Sequence, residues 1–136
     1  WLLVGRTNIK VHRALNAMLA KVDLSLAQHE ILVNIHRDSG LTQKALAEKL
    51  LVVKSNISAL LKKLEDRGLV RRAPDPEDSR NNQLSLTRRG EALVQESFAL
   101  QNQVIKTMVS VMSDEELVQI GDVMERVGKA LDQLDV

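Results

Sequence analysis

The chain has 136 residues, 44% hydrophobic and 27% charged, the balance of one soluble domain that buries about 70% of its unfolded surface. With no cysteine it has no disulfide, no thiolate metal site and no thiol redox sensor, and a reducing, cytoplasmic setting is expected. The net charge of +1 hides a segregation: residues 42–90 carry eleven Lys or Arg against six acids, a net of +5, while residues 91–136 carry three against nine, a net of −6. Such a division suits a basic surface turned toward a polyanion and a different working surface behind it, although a merely solvated charge run has the same composition. No apolar run approaches the roughly 18 residues of a membrane span. The opening WLLVGRT lacks the basic-then-apolar order of a signal peptide.

The only aromatic residues are Trp1 and Phe98, so the core must be aliphatic. From Leu2 to about Val22, Leu15, Met18, Leu19 and Val22 recur at helical spacing and predict a first helix. Ser25, with Gln28 three residues on, forms a capping box that opens a second helix, with Ile31, Leu32 and Ile35 on one face and an end near Gly40. Thr42 caps a short third helix, LTQKALAEKL, that buries Ala45, Leu46 and Leu50. A fourth, KSNISALLKKLEDRG, turns Ile57, Leu60, Leu61 and Leu64 to one side and stops at Gly68. LVRRA and QLSL then alternate as two strands joined by Pro74 to Asn82, a hairpin. Thr87 caps a long helix through about Met112, with Leu93, Val94, Phe98, Ile105, Met108 and Val109 as burial candidates. Ser113 with Glu116 opens the last helix through another capping box. There Leu117, Ile120, Met124, Val127, Leu131 and Leu134 alternate at three- and four-residue steps, a coiled-coil seam that needs a partner helix. Gly121 and Gly128 stand beside it, either as points of close backbone approach or as mild helix weakeners.

The predicted fold class is mainly α with a small β-hairpin: a winged helix-turn-helix over about residues 25–90, flanked by dimerisation helices over 1–24 and 91–136, in a single domain. In such a unit the helix before the hairpin enters the major groove. With Ile57, Leu61 and Leu64 inward, the opposite side of the fourth helix carries Ser55, Ala59 and Lys62, flanked by Asn56, Ser58 and Lys63. Small side chains let the helix axis approach base edges, hydroxyls and amides hydrogen-bond them, and lysines meet phosphate or guanine. An ordinary solvated helix face reads the same way until the hairpin is added. In that hairpin Pro74 and Pro76 fix φ and stiffen the loop. Asp78 is placed to hold Arg80 extended; the plainer alternative makes Arg80 a surface salt-bridge residue of little energetic weight.

The stretches LTQKALAEKL, KKLEDRGLVRR and PEDSRNNQLSLTRRG resemble the multiple-antibiotic-resistance regulator (MarR) family, and the resemblance runs over essentially the whole chain. Its most specific part is Asp78-Ser79-Arg80, followed by the alternating strand and Leu86-Thr87-Arg88-Arg89-Gly90. The resemblance implies a homodimeric, cytoplasmic winged-helix transcription factor, a repressor in the usual arrangement. It implies that the fourth helix reads the major groove of double-stranded DNA, that Arg80 enters the minor groove, and that the first and last two helices build the dimer. The expected DNA contacts are Thr42, Gln43, Lys54, Ser55, Asn56, Ser58, Lys62, Lys63, Arg72, Asp78 and Arg80. The operator is expected to be pseudo-palindromic. Family members commonly respond to small, often phenolic or anionic, effectors between the dimer helices and the winged helix; nothing in the sequence specifies one here.

No cofactor and no metal site are expected. His12, His29 and His36 are the only histidines, and although His29 and His36 share a helix face, no acids or further histidines join them. An enzyme is not expected either, in the absence of G-x-S-x-G, G-x-G-x-x-G, a P-loop or a cysteine nucleophile. The rival reading is a winged-helix protein–protein interaction module without specific DNA binding, and steep loss of duplex binding with added salt separates the two.

Overall fold

The structure, a computed structural model, describes residues 1–50, 57–76 and 82–133. Apolar residues at helical spacing give six helices among them: α1 (Leu2–Leu19), α2 (Leu26–Arg37), α3 (Gln43–Lys49), α4 (Ile57–Asp66), α5 (Arg88–Val109) and α6 (Asp114–Leu131). Three short strands complete it: β1 (Leu41–Thr42), β2 (Val70–Pro74) and β3 (Asn82–Leu86). The chain divides into two compact units, Trp1–Asn102 and Gln103–Val136. None of the described helices is long and apolar enough to cross a membrane.

In the first unit the helix boundaries follow the capping chemistry in the sequence. Ser25 accepts from the Gln28 amide at 3.2 Å while the Gln28 side chain accepts from the Ser25 amide at 3.0 Å, so two otherwise orphaned N–H groups are satisfied together. The Thr42 hydroxyl accepts from Ala45 N–H at 3.2 Å at the start of α3. α1 gives way at Ala20 to a 3-10 turn through Val22, and Asp23 ends it in the left-handed region at φ 55°. Helix α4 closes on Gly68 at φ 68°, with Gly68 N–H on the Glu65 carbonyl at 2.8 Å and Leu69 N–H on that of Leu64 at 2.9 Å, the paired C-terminal bonds that favour glycine.

The hairpin is larger by one strand than the sequence pattern predicts. β3 is the centre of a three-stranded antiparallel sheet in the order β1-β3-β2, with Leu41 opposite Leu84 on one side and Arg72 opposite Leu84 on the other. Two residues are too few to show a period of two, so β1 has no alternation to read. Beneath the sheet, Ile31, Leu32 and Ile35 of α2, Leu46 of α3, Leu61 and Leu64 of α4, and Leu84 are all at most 1% exposed. The core is aliphatic, as the composition requires.

The Leu86-to-Gly90 motif is the joint between hairpin and α5. Thr87 donates its hydroxyl to the Gly68 carbonyl at 2.6 Å and accepts from Gly90 N–H at 3.0 Å, fastening the base of β2 to the first turn of the helix. A Cβ at Gly90 would run into the Leu69 carbonyl oxygen, which is why that position takes glycine. Helix α5 ends at Val109, three residues short of the expected Met112.

In the second unit, Ser113 and Glu116 form the predicted capping box at 3.2 and 2.8 Å. Ile105 and Met108, expected to be buried, are exposed in the single chain. Their helical spacing marks an apolar face correctly but does not say that the same chain covers it.

Candidate nucleic-acid interface

Hydrophobic patterning orients α4. Because Ile57, Leu61 and Leu64 are buried, the 100° step per residue sends Ser58, Lys62 and Lys63 outward, and all three are exposed. Lys62 lies 3.2 Å from Asp66 one turn on, an exposed pair of little stabilising weight. Lys54, Ser55 and Asn56, expected on the same face, and Asp78 and Arg80 of the loop lie outside the described residues.

Three of the expected contact residues, from three different elements, converge in one network. Arg72 on β2 donates from Nε to Glu65 Oε1 at 2.7 Å and from Nη1 to Gln43 Oε1 at 2.9 Å. Gln43, in the first turn of α3, passes its own amide N–H to Ser58 Oγ at 2.6 Å. One planar guanidinium therefore holds the strand of the wing against both α3 and α4, a task its fork of fixed donors suits and a lysine's single point charge does not. Glu65, absent from the expected contacts, is the anchor of this network. Its spacing from Arg72 crosses a helix end and a turn, so no periodic pattern reveals the pairing. Thr42, by contrast, spends its hydroxyl on the α3 cap.

The histidines are placed differently from one another. His29 is 2% exposed, with Nδ1 3.0 Å from Ser97 Oγ, whereas His36 stands at the surface 2.6 Å from Glu91 Oε2. Their common helix face is real: both rings meet Phe98 edge-on, at centroid distances of 5.9 and 6.0 Å. Burial holds the His29 imidazole below its ordinary pKa, against the opposing effects of Gln101 and Glu30. Among the described residues no group of three or more His, Cys, Asp or Glu could hold a metal ion.

In the second unit the expected seam lies along α6. Ile120, Met124, Val127 and Leu131 are 44–56% exposed and Leu117 is half-buried; Leu134 lies outside the described residues. Ile120 and Met124, with Val111, Met112 and Val123, line an apolar groove of about 380 Å³. At Gly121 and Gly128 a side chain would meet open space. In the first unit Leu2, Leu3, Val4 and Ile9 of α1 are also exposed.

Comparison with known proteins gives the geometry a context. The family model that matches, over residues 22–81, is that of the MarR family. An HTH-type transcriptional regulator of Bacillus cereus is 32% identical over 133 residues, covering 95% of this chain and 86% of that protein. The transcriptional regulator HosA of Escherichia coli is 32% identical over 94 residues, 69% of this chain and 70% of its own. Among solved structures, a mutant MarR from Escherichia coli complexed with operator DNA superposes with a TM-score of 0.83 at 26% identity, covering 92% of this chain and 90% of that one.

Proposed function

Because the chain belongs to the MarR family, a family of transcriptional regulators, we propose that it acts as a homodimer that represses transcription from a pseudo-palindromic DNA operator and is released by a small ligand. The observation that carries this reading is the outward face of α4: Ser58, Lys62 and Lys63 stand exposed while Arg72 and Gln43 hold that helix to the wing. Small and cationic side chains on a braced helix are what insertion into a major groove requires. The likeness to a MarR bound to operator DNA supports the same docking.

In this reading Ser55, Asn56 and Ser58 face base edges, while Lys54, Lys62 and Lys63 meet phosphate. Gln43 and Arg72 support them, and Thr42 opens the helix that crosses the backbone. Arg80 enters the minor groove, with Asp78 setting its posture, and reads groove width more than base identity. The apolar stripe of α6 and the exposed end of α1 each supply dimer contacts. Two copies of α4 then address half-sites about 10 base pairs apart.

Selection of bound duplexes from a random pool tests the reading. The expected product is a palindrome with that spacing, bound with an affinity that falls steeply as salt rises. Arg80→Ala should cost about 1–3 kcal/mol in operator affinity while folding and dimerisation persist. Binding without sequence preference, or none at all, would overturn the assignment in favour of a protein-interaction module.

A further inference from the structure

The network that braces α4 also has a direction. Arg72 donates from Nε to Glu65 Oε1 at 2.7 Å, and its Nη1 stands 2.9 Å from the Gln43 amide. A guanidinium carries donors and no acceptor, so the Gln43 atom that meets it is the carbonyl oxygen; the amide turned over would set N–H against N–H. With that oxygen held, Gln43 presents its NH2 on the other side, 2.6 Å from Ser58 Oγ. An amide NH2 can only donate, and Ser58 Oγ is therefore the acceptor of this bond.

The direction decides what Ser58 can offer to a partner outside the chain. A hydroxyl has one proton and two lone pairs, and on a solvated helix face it rotates to donate or accept as required. Here Gln43 occupies one lone pair, and among the described residues Ser58 makes no other side-chain hydrogen bond, so its proton is left for the exposed side of α4. An oxygen that already accepts has a more polarised O–H: it becomes a stronger donor, and its remaining lone pair a weaker acceptor. The relay starts from an ion pair, Arg72 with Glu65, and hydrogen bonds given by an ionised group are the stronger kind.

We propose that Gln43 is a positioning residue that fixes Ser58 as a hydrogen-bond donor, so that Ser58 selects a base whose major-groove edge offers acceptors. Guanine, with N7 and O6, and thymine, with O4, present acceptors and no donor there; cytosine presents only its amino group, and adenine both kinds. A cytosine set against Ser58 would have to use the weakened lone pair and would leave the serine proton unreceived. The inference rests on the reading above that α4 enters the major groove, and adds to it which edge one of its residues reads and why.

Selection from a random pool of duplexes, followed by titration of the selected sites, tests this on the full chain and on Ser58→Ala, Gln43→Glu and Gln43→Met. Ser58 is exposed and Gln43 half-buried, so melting temperatures should stay near the parent's. The half-site position whose preference Ser58→Ala erases identifies the base that Ser58 reads. In the parent that base should be guanine or thymine, bound about tenfold more tightly than cytosine, the weight of one hydrogen bond. Gln43→Glu keeps the shape and reverses the relay: the carboxylate still accepts from Arg72 but now takes the Ser58 proton as well, leaving lone pairs outward. The preferred base should become cytosine or adenine, whose amino groups donate. The added negative charge weakens binding to all sequences alike and does not choose the base at one position. Gln43→Met keeps the bulk but neither holds nor opposes the hydroxyl, and the preference should shrink toward none. Cytosine preferred by the parent, the parental preference kept in Gln43→Glu or Gln43→Met, or no change in Ser58→Ala overturns the inference while a selected palindrome leaves the proposed function standing. A parent that selects no sequence at all overturns both.

Discussion

Helices α4 and α6 carry the same kind of apolar stripe, at three- and four-residue steps, with opposite outcomes. Leu61 and Leu64 of α4 are fully buried by neighbours in the same chain, whereas Met124 and Leu131 of α6 remain more than half exposed. Burial of a leucine-sized side chain is worth about 1.5–3 kcal/mol, so four or five uncovered ones are a large unmet gain that a second copy can collect. An amphipathic pattern therefore states that a face will be covered; only packing states by what. The stripe of α4 is covered within its own unit; that of α6 is the surface the proposed dimer would cover.

The sharpest way to break the comparison is to charge the exposed stripe. Met124→Glu combined with Val127→Glu should leave helicity intact and abolish the dimer in sedimentation. A palindrome would then be gripped by one half only, and operator affinity should fall on the order of 100- to 10,000-fold. A charged variant that remains dimeric would place the interface elsewhere. Truncating the covered stripe should instead act within the chain. Leu61→Ala should cost about 2–5 kcal/mol in denaturant unfolding, while the protein that remains folded still dimerises.

Smaller effects probe what the covered stripe is for. Arg72→Ala removes the fork that serves Glu65 and Gln43, and should weaken operator binding by about 1–2 kcal/mol through misplacement of α4, with the half-buried ion pair itself worth less than about 1 kcal/mol to stability. Arg72→Lys should fail to restore it, because a single ammonium cannot span both acceptors; duplex titration of the two variants checks this. Lys62→Ala should lower affinity for all sequences alike and reduce the salt slope by about one unit, whereas Ser58→Ala should alter base preference. Smallest is a pH effect on stability. Since the folded His29 ring binds a proton less readily than the unfolded one, the unfolded chain gains protons first as pH falls below about 6.5. Stability should therefore decline from there until the folded ring protonates too. His29→Leu should flatten that part of the melting-temperature profile.

Local chemistry was written in the sequence. The caps at Ser25, Thr42, Thr87 and Ser113, the stop at Gly68 and the apolar faces of α2, α3 and α4 are each set by residues within about one helical turn of one another, and the structure places them as expected. The family follows from the same short-range signals in fixed order. What depends on residues far apart was decided by tertiary structure. The third strand exists because Leu41 finds Leu84. Arg72 braces α4 because Gln43 and Glu65 are brought to its two donor groups. His29 meets a side-chain partner because Ser97, sixty-eight residues away, is brought within 3.0 Å of its Nδ1. Periodicity marks which side of an element is apolar, since that depends on the step from one residue to the next. A hydrogen bond across elements depends on where two backbones cross, and that is fixed only when the whole core closes.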